Sequence, residues 1–144
     1  MKPVISLPFL LWPLMQSCGF VYERHLTGNY YLIAVDTKED MDVCYHQQED
    51  DDAPYTGITG ASVYAVGYDG DFILVKAYRA LRDSMGISLQ RYDKNTTDYY
   101  IIPVDNTQEA WEAQENKFGA FGKTDFEVRR KELGVPDDIV FKEL

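Results

Sequence analysis

The chain has 144 residues, 45% of them hydrophobic and 14% aromatic, with 11 tyrosines. That length suits one domain, and that composition excludes a disordered chain. The formal net charge of −10 sets the surface against phosphate backbones and anionic headgroups, so nucleic acid is excluded as a partner and a basic protein fits.

Residues 1–17 read as a secretory signal. Lys2 supplies a minimal positive start, and Val4 to Met15 form an apolar run interrupted by Pro8 and Pro13. Twelve helical residues reach about 18 Å, short of a hydrocarbon core of about 30 Å, so the run is not a spanning helix. Ser17 is the small residue expected before a cleavage site, and Cys18 follows it. Met15 to Cys18 resembles the lipobox of bacterial lipoproteins, with Met15 in place of the usual Leu. The resemblance implies a lipidated Cys18, a short tether over 18–25 and a membrane-anchored envelope protein. The alternative is a soluble secreted or periplasmic protein in which Cys18 is free to pair with Cys44.

A single globular domain is expected over 26–144. Phe20 to Leu26 is a tether or first strand, and Thr27-Gly28-Asn29 a turn. Tyr30 to Val35 is apolar on both faces and so predicts a central strand. Asp36 to Asp40 is a polar turn, Met41 to Gln48 a strand, and Glu49 to Pro54 a charged loop. Ile58–Tyr68 and Asp71–Arg79 flank Asp69-Gly70, a hairpin signal for a type I′ turn with positive φ at both central residues. Ser88–Tyr92 and Tyr99–Val104 are two further strands around a polar loop at 93–98. Asn106 with Glu109 predicts a capped helix to about Lys117, broken by Gly119 and Gly122. Thr124 with Glu127 predicts a second helix ending at Gly134, with Arg129-Arg130-Lys131 as a solvated helix end. Ile139-Val140-Phe141 is a last strand or docking tail. Strands first and helices last give an α+β fold: an antiparallel sheet of about five to seven strands over 26–104, with one or two C-terminal helices.

Tyr99-Tyr100-Ile101-Ile102, Gly119-Ala120-Phe121 and Phe126 to Pro136, with Asp69-Gly70-Asp71-Phe72-Ile73, resemble a family of small, functionally uncharacterised bacterial lipoproteins. The likeness is spread over about 28–141 and rests on no catalytic motif. It implies an envelope location and assigns no activity.

Asp42, Cys44 and His46 alternate along one predicted strand, so their side chains share a face. Cys and His ligate zinc, and a Cys beside a His makes a reactive thiolate. The ordinary alternative is a buried free Cys beside a surface His. Glu49 to Asp52 lack the spacing and glycine of an EF-hand and read as a solvated loop. Gly57 to Gly60, Gly67 and Gly70 lack the Lys-Ser/Thr of a phosphate loop. No cofactor is expected. Tyr30, Tyr64, Tyr78 and Tyr100 lie in predicted strands and are the candidate ligand-binding residues, since tyrosines stack on sugars and line protein interfaces; core packing is the competing use. The leading expectation is a non-enzymatic envelope binding or inhibitor/immunity-type protein. The alternative is a small hydrolase or metal-dependent enzyme using Asp42, Cys44 and His46.

Overall fold

The structure, a computed structural model, describes residues 19–47 and 52–144. The signal at 1–17, Cys18 with its lipidation or pairing, and Glu49, Asp50 and Asp51 lie outside the described residues.

The fold is α+β, with nine strands in two antiparallel sheets among the described residues. The first sheet runs in sequence order: β1 (Tyr22–Thr27), β2 (Tyr30–Ala34), β3 (Asp42–Tyr45) and β4 (Thr56–Gly57). The second is built on β5 (Val63–Tyr68), β6 (Phe72–Arg82) and β7 (Ser88–Pro103). β8 (Phe118–Phe121) and β9 (Lys142–Glu143) complete it in the order β8-β7-β6-β5-β9. Helices α1 (Ala110–Glu115) and α2 (Lys123–Glu132) flank β8. Seven strands thus lie within 22–103, and they divide between two sheets where the sequence suggested one.

Strand alternation explains the division. Tyr30, Leu32 and Ala34 of β2 and Val43 and Tyr45 of β3 face one core with Ile73, Val75 and Ala77 of β6. Leu74 of β6 and Ile101 of β7 point the other way, into a second core closed by Phe126 of α2, Val135 and Ile139. β6 and β7 are therefore apolar on both faces, as a strand between two layers must be. β2 is central in its own sheet, paired on both sides, as its apolar run predicts.

Several local readings need correction. The Asp69-Gly70 hairpin is present, but Gly70 has no positive φ. The Asp69 carboxylate makes the turn instead, accepting from the Asp71 and Phe72 backbone N–H groups at 2.7 and 2.8 Å. The polar stretch at 93–98 is not a loop but part of β7, accommodated by bulges against β6. Asn106 does not cap α1. Glu109 does, its N–H donating to Glu112 Oε2 at 2.8 Å. Asn106 reaches across to the β1–β2 turn, where its Oδ1 accepts from Asn29 N at 2.9 Å. Gly28 there has φ +53°, and a Cβ would collide with the Asn106 side chain. Gly122, not Thr124, stands at the N-cap of α2.

Arg130 is not a solvated helix end. It is half-buried, and its Nη2 donates to the Pro136 and Ile139 carbonyls at 2.8 Å each, fastening the tail that carries Phe141 and β9. Among the described residues no helix is long and apolar enough to cross a membrane.

Candidate functional site

The first sheet has one face in the core and one turned outward. Register puts Tyr31 opposite Cys44 and Ile33 opposite Asp42, all on the outer face, with His25 of β1 opposite Tyr31. Asp42, Cys44 and His46 thus share a face, as their alternation requires. Tyr55, just before β4, completes the group. Its ring lies 4.7 Å from His46 and 5.3 Å from Tyr31, and Phe20 meets it edge-on at 5.5 Å. His25 packs on the far side of Tyr31 at 5.0 Å, its Nε2–H donating to Gly28 O at 2.7 Å.

This aromatic cluster borders a groove of about 460 Å³, lined by Phe20, Ile33, Val35, Asp42, Cys44 and Tyr55 among others. The lining is mostly apolar, with Asp42 and Cys44 in the floor, and the edge is acidic. Asp40 lies on one side, and Glu23 accepts the Tyr55 hydroxyl at 2.8 Å.

The chemistry of the floor runs against nucleophilic catalysis. Burial, with the Asp42 charge beside it, pushes the Cys44 thiol up to about 12, so at neutral pH it holds its proton. Asp42 is pushed up to about 6 by burial, against the hydrogen bonds its Oδ1 accepts from Thr59 N (3.0 Å) and Thr59 Oγ1 (2.8 Å). Gly57 sits beneath that carboxylate, and a Cβ there would strike Asp42 Oδ2. His46 is engaged with the Tyr55 ring rather than with the thiol. Among the described residues no group of three or more His, Cys, Asp or Glu side chains is placed to hold a metal ion.

Residues 27–144 match the profile of a protein family of unknown function, DUF3997. The chain belongs to that family. No curated protein and no solved structure matches it. The family match covers the stretches on which the resemblance to an uncharacterised family rests, and it contributes no assigned site.

The tyrosines singled out in the sequence are not brought into one row. Tyr30 is fully enclosed between the sheets, its hydroxyl accepting from Gln108 Nε2 at 2.6 Å. Tyr64 and Tyr78 stack at 4.3 Å on the second sheet, and the Tyr64 and Thr97 hydroxyls share a 2.7 Å hydrogen bond. Tyr100 is half-buried against the inter-sheet core. Sequence reasoning missed Phe20, His25 and Tyr55, and took Tyr30 rather than its neighbour Tyr31 as the candidate. Tyr31 was in principle accessible, because two adjacent strand tyrosines face opposite ways and Tyr30 takes the core side. Tyr55 sits outside any periodic segment and carries no comparable signal.

Proposed function

We propose that this protein is an exported, Cys18-lipidated envelope protein that binds a basic protein partner through the groove on its first sheet, without catalysis. The observation that carries the reading is the outward aromatic cluster of Phe20, Tyr31, Tyr55 and His46 beside a mostly apolar groove with acidic edges. Concave apolar surface with aromatic walls is the ordinary anatomy of a binding site, and aromatic residues dominate binding energy at interfaces. The protonated, enclosed thiol and the carboxyl satisfied by Thr59 favour binding over reaction. A chain of net charge −10 attracts a basic partner and speeds its encounter. Two further features support the address: the apolar run before Cys18 and the small Ser17 preceding it. Acyl chains on Cys18 would hold the domain at the membrane, more than one being needed for stable anchoring.

Photocrosslinking in the native envelope tests the binding face. A benzoylphenylalanine at position 55 is expected to capture a discrete heavier species, and one at exposed Asp71 is not. Equal capture at both positions, or none at 55, contradicts the reading. Intact mass of the envelope protein tests the address. It should correspond to a chain starting at an acylated Cys18, and an unmodified Met1 start would contradict it.

A further inference from the structure

β6 and β7 continue as a two-stranded ribbon well past their sheet. Backbone bonding on the β5 side ends at Tyr78, whose N donates to Ser62 O at 3.0 Å, and β8 meets β7 only from Tyr99 onward, so beyond those points the ribbon has no neighbouring strand among the described residues. Every residue from Leu81 to Arg91 is exposed. Four of them are large and apolar: Leu81 at 40%, Met85 at 83%, Ile87 at 60% and Leu89 at 49% exposure. The tip is nonetheless built. Asp83 Oδ1 accepts from Met85 N and Ile87 N, both at 2.9 Å, and Arg82 Nη1 donates to Gly86 O at 2.8 Å. Those bonds hold Met85 and Ile87 out at the end of the arm. A projection of this kind invites a partner, because single exposed apolar residues are ordinary but four in one built arm are not.

Two observations say which partner. The first is charge. Of the basic residues between positions 79 and 94, Arg79 pairs with Asp98 and Lys94 with Glu39, which leaves Arg82 and Arg91 without an ion pair among the described residues, nearest the tip, on a chain that is otherwise strongly acidic. Asp83 is engaged with its own turn. The second is position. β1 begins at Tyr22 opposite Ala34, and Val21 N donates to Ala34 O at 3.0 Å. The turn that follows β2 reaches the ribbon, where Lys94 Nζ pairs with Glu39 at 3.0 Å. The opposite end of β1 is the Gly28 turn, held to Asn106 beyond the far end of β7. The start of β1, just after Cys18, and the ribbon therefore leave the same end of the molecule.

From these observations we infer that the 79–94 ribbon is a membrane-contacting arm, its tip residues Met85 and Ile87 entering the headgroup region of an anionic bilayer while Arg82 and Arg91 meet lipid phosphates. Apolar tips with basic flanks partition into that region, and a second attachment strengthens lipid anchoring. Edge-to-edge pairing with a second copy is opposed by the bulges between Tyr78 and Arg79 and between Ala80 and Arg82, and by the positive φ of Gln90. The inference rests on the proposed lipidation of Cys18, which sets the arm beside the membrane.

The test labels the full lipidated protein, its acylation first confirmed by intact mass. Met85→Cys is coupled to an environment-sensitive fluorophore and the protein reconstituted in phosphatidylethanolamine–phosphatidylglycerol vesicles; enclosed Cys44 is not labelled. Asp71→Cys, at the opposite end of β6, is the control. Position 85 is expected to shift to the blue and lose about half its emission to brominated lipid, with position 71 unchanged. Arg91→Gln should weaken the quenching at 85. Water-like emission from 85 in a mass-confirmed lipoprotein overturns the arm alone and leaves the anchor standing. A blue shift that depends on protein concentration and not on lipid assigns the arm to a second copy and also overturns the inference. An unacylated mass overturns the anchor, and with it the basis for the arm.

Discussion

Asp42 is the residue whose environment is most at odds with its chemistry. Its carboxyl is raised to about 6 in the folded protein, against an ordinary value near 4, because burial outweighs the two bonds from Thr59. The folded state then holds the proton more tightly than the unfolded state. Stability contributed by this group is full below about pH 4 and is lost as pH rises to about 6, by about 2–3 kcal/mol. Asp42→Asn, whose Oδ1 still accepts from Thr59, should be the more stable protein at pH 7 by about that amount, and equal to wild type near pH 4. Urea unfolding at the two pH values measures the difference, which isolates Asp42 from carboxylates shifted the other way, such as Asp93 and Asp105. Its neighbour Cys44 should resist alkylation by iodoacetamide at pH 7.5 in the folded protein and react promptly once unfolded. Rapid modification of the native protein would restore the nucleophile reading.

Among the elements, those that depend on alternation were legible and those that depend on a distant partner were not. The apolar runs expected as strands at 30–35, 58–68 and 71–79 hold the strands Tyr30–Ala34, Val63–Tyr68 and Phe72–Arg82, but 58–62 forms bends between β4 and β5 and is not part of a strand. The hairpin at Asp69-Gly70 was placed correctly for an incomplete reason. Its turn depends on the Asp69 side chain, so Asp69→Ala should lose about 1 kcal/mol, while Asp69→Asn should retain most of it; thermal melting checks both. β8 was hidden because two glycines around Ala120 and Phe121 imitate a helix stop, and only the free edge of β7 makes the segment a strand. Arg130 was hidden for a similar reason. Its partners are carbonyls six and nine residues on, in a tail whose course no local pattern fixes. Arg130→Lys should not rescue the loss caused by Arg130→Ala, because one ammonium does not reproduce the planar guanidinium fork. Faster hydrogen exchange confined to 135–144 in both variants is the expected sign.

At the scale of the molecule, two polar residues beyond β7, Gln108 and Asn106, hold the first sheet at the end opposite the 79–94 ribbon. Gln108 is buried, its Nε2 donating to the Tyr30 hydroxyl at 2.6 Å while its backbone carbonyl accepts from the Tyr45 hydroxyl at 2.7 Å. Asn106 closes on the Gly28 turn beside it. The aromatic groove lies on the outward face of the sheet that these contacts hold, and Tyr31 and Tyr55 are half-buried there, outside both cores, so those two can be changed with little effect on the fold. Affinity capture from envelope extract, with the 19–144 domain as bait at low and high salt, is the most direct test of the central claim. The wild-type domain should retain a basic protein at low salt and release it at high salt, and a Tyr31→Ala, Tyr55→Ala double variant should lose at least about tenfold of that retention. Retention of the same protein by the double variant, or no retention by the wild type at either salt, would contradict the account.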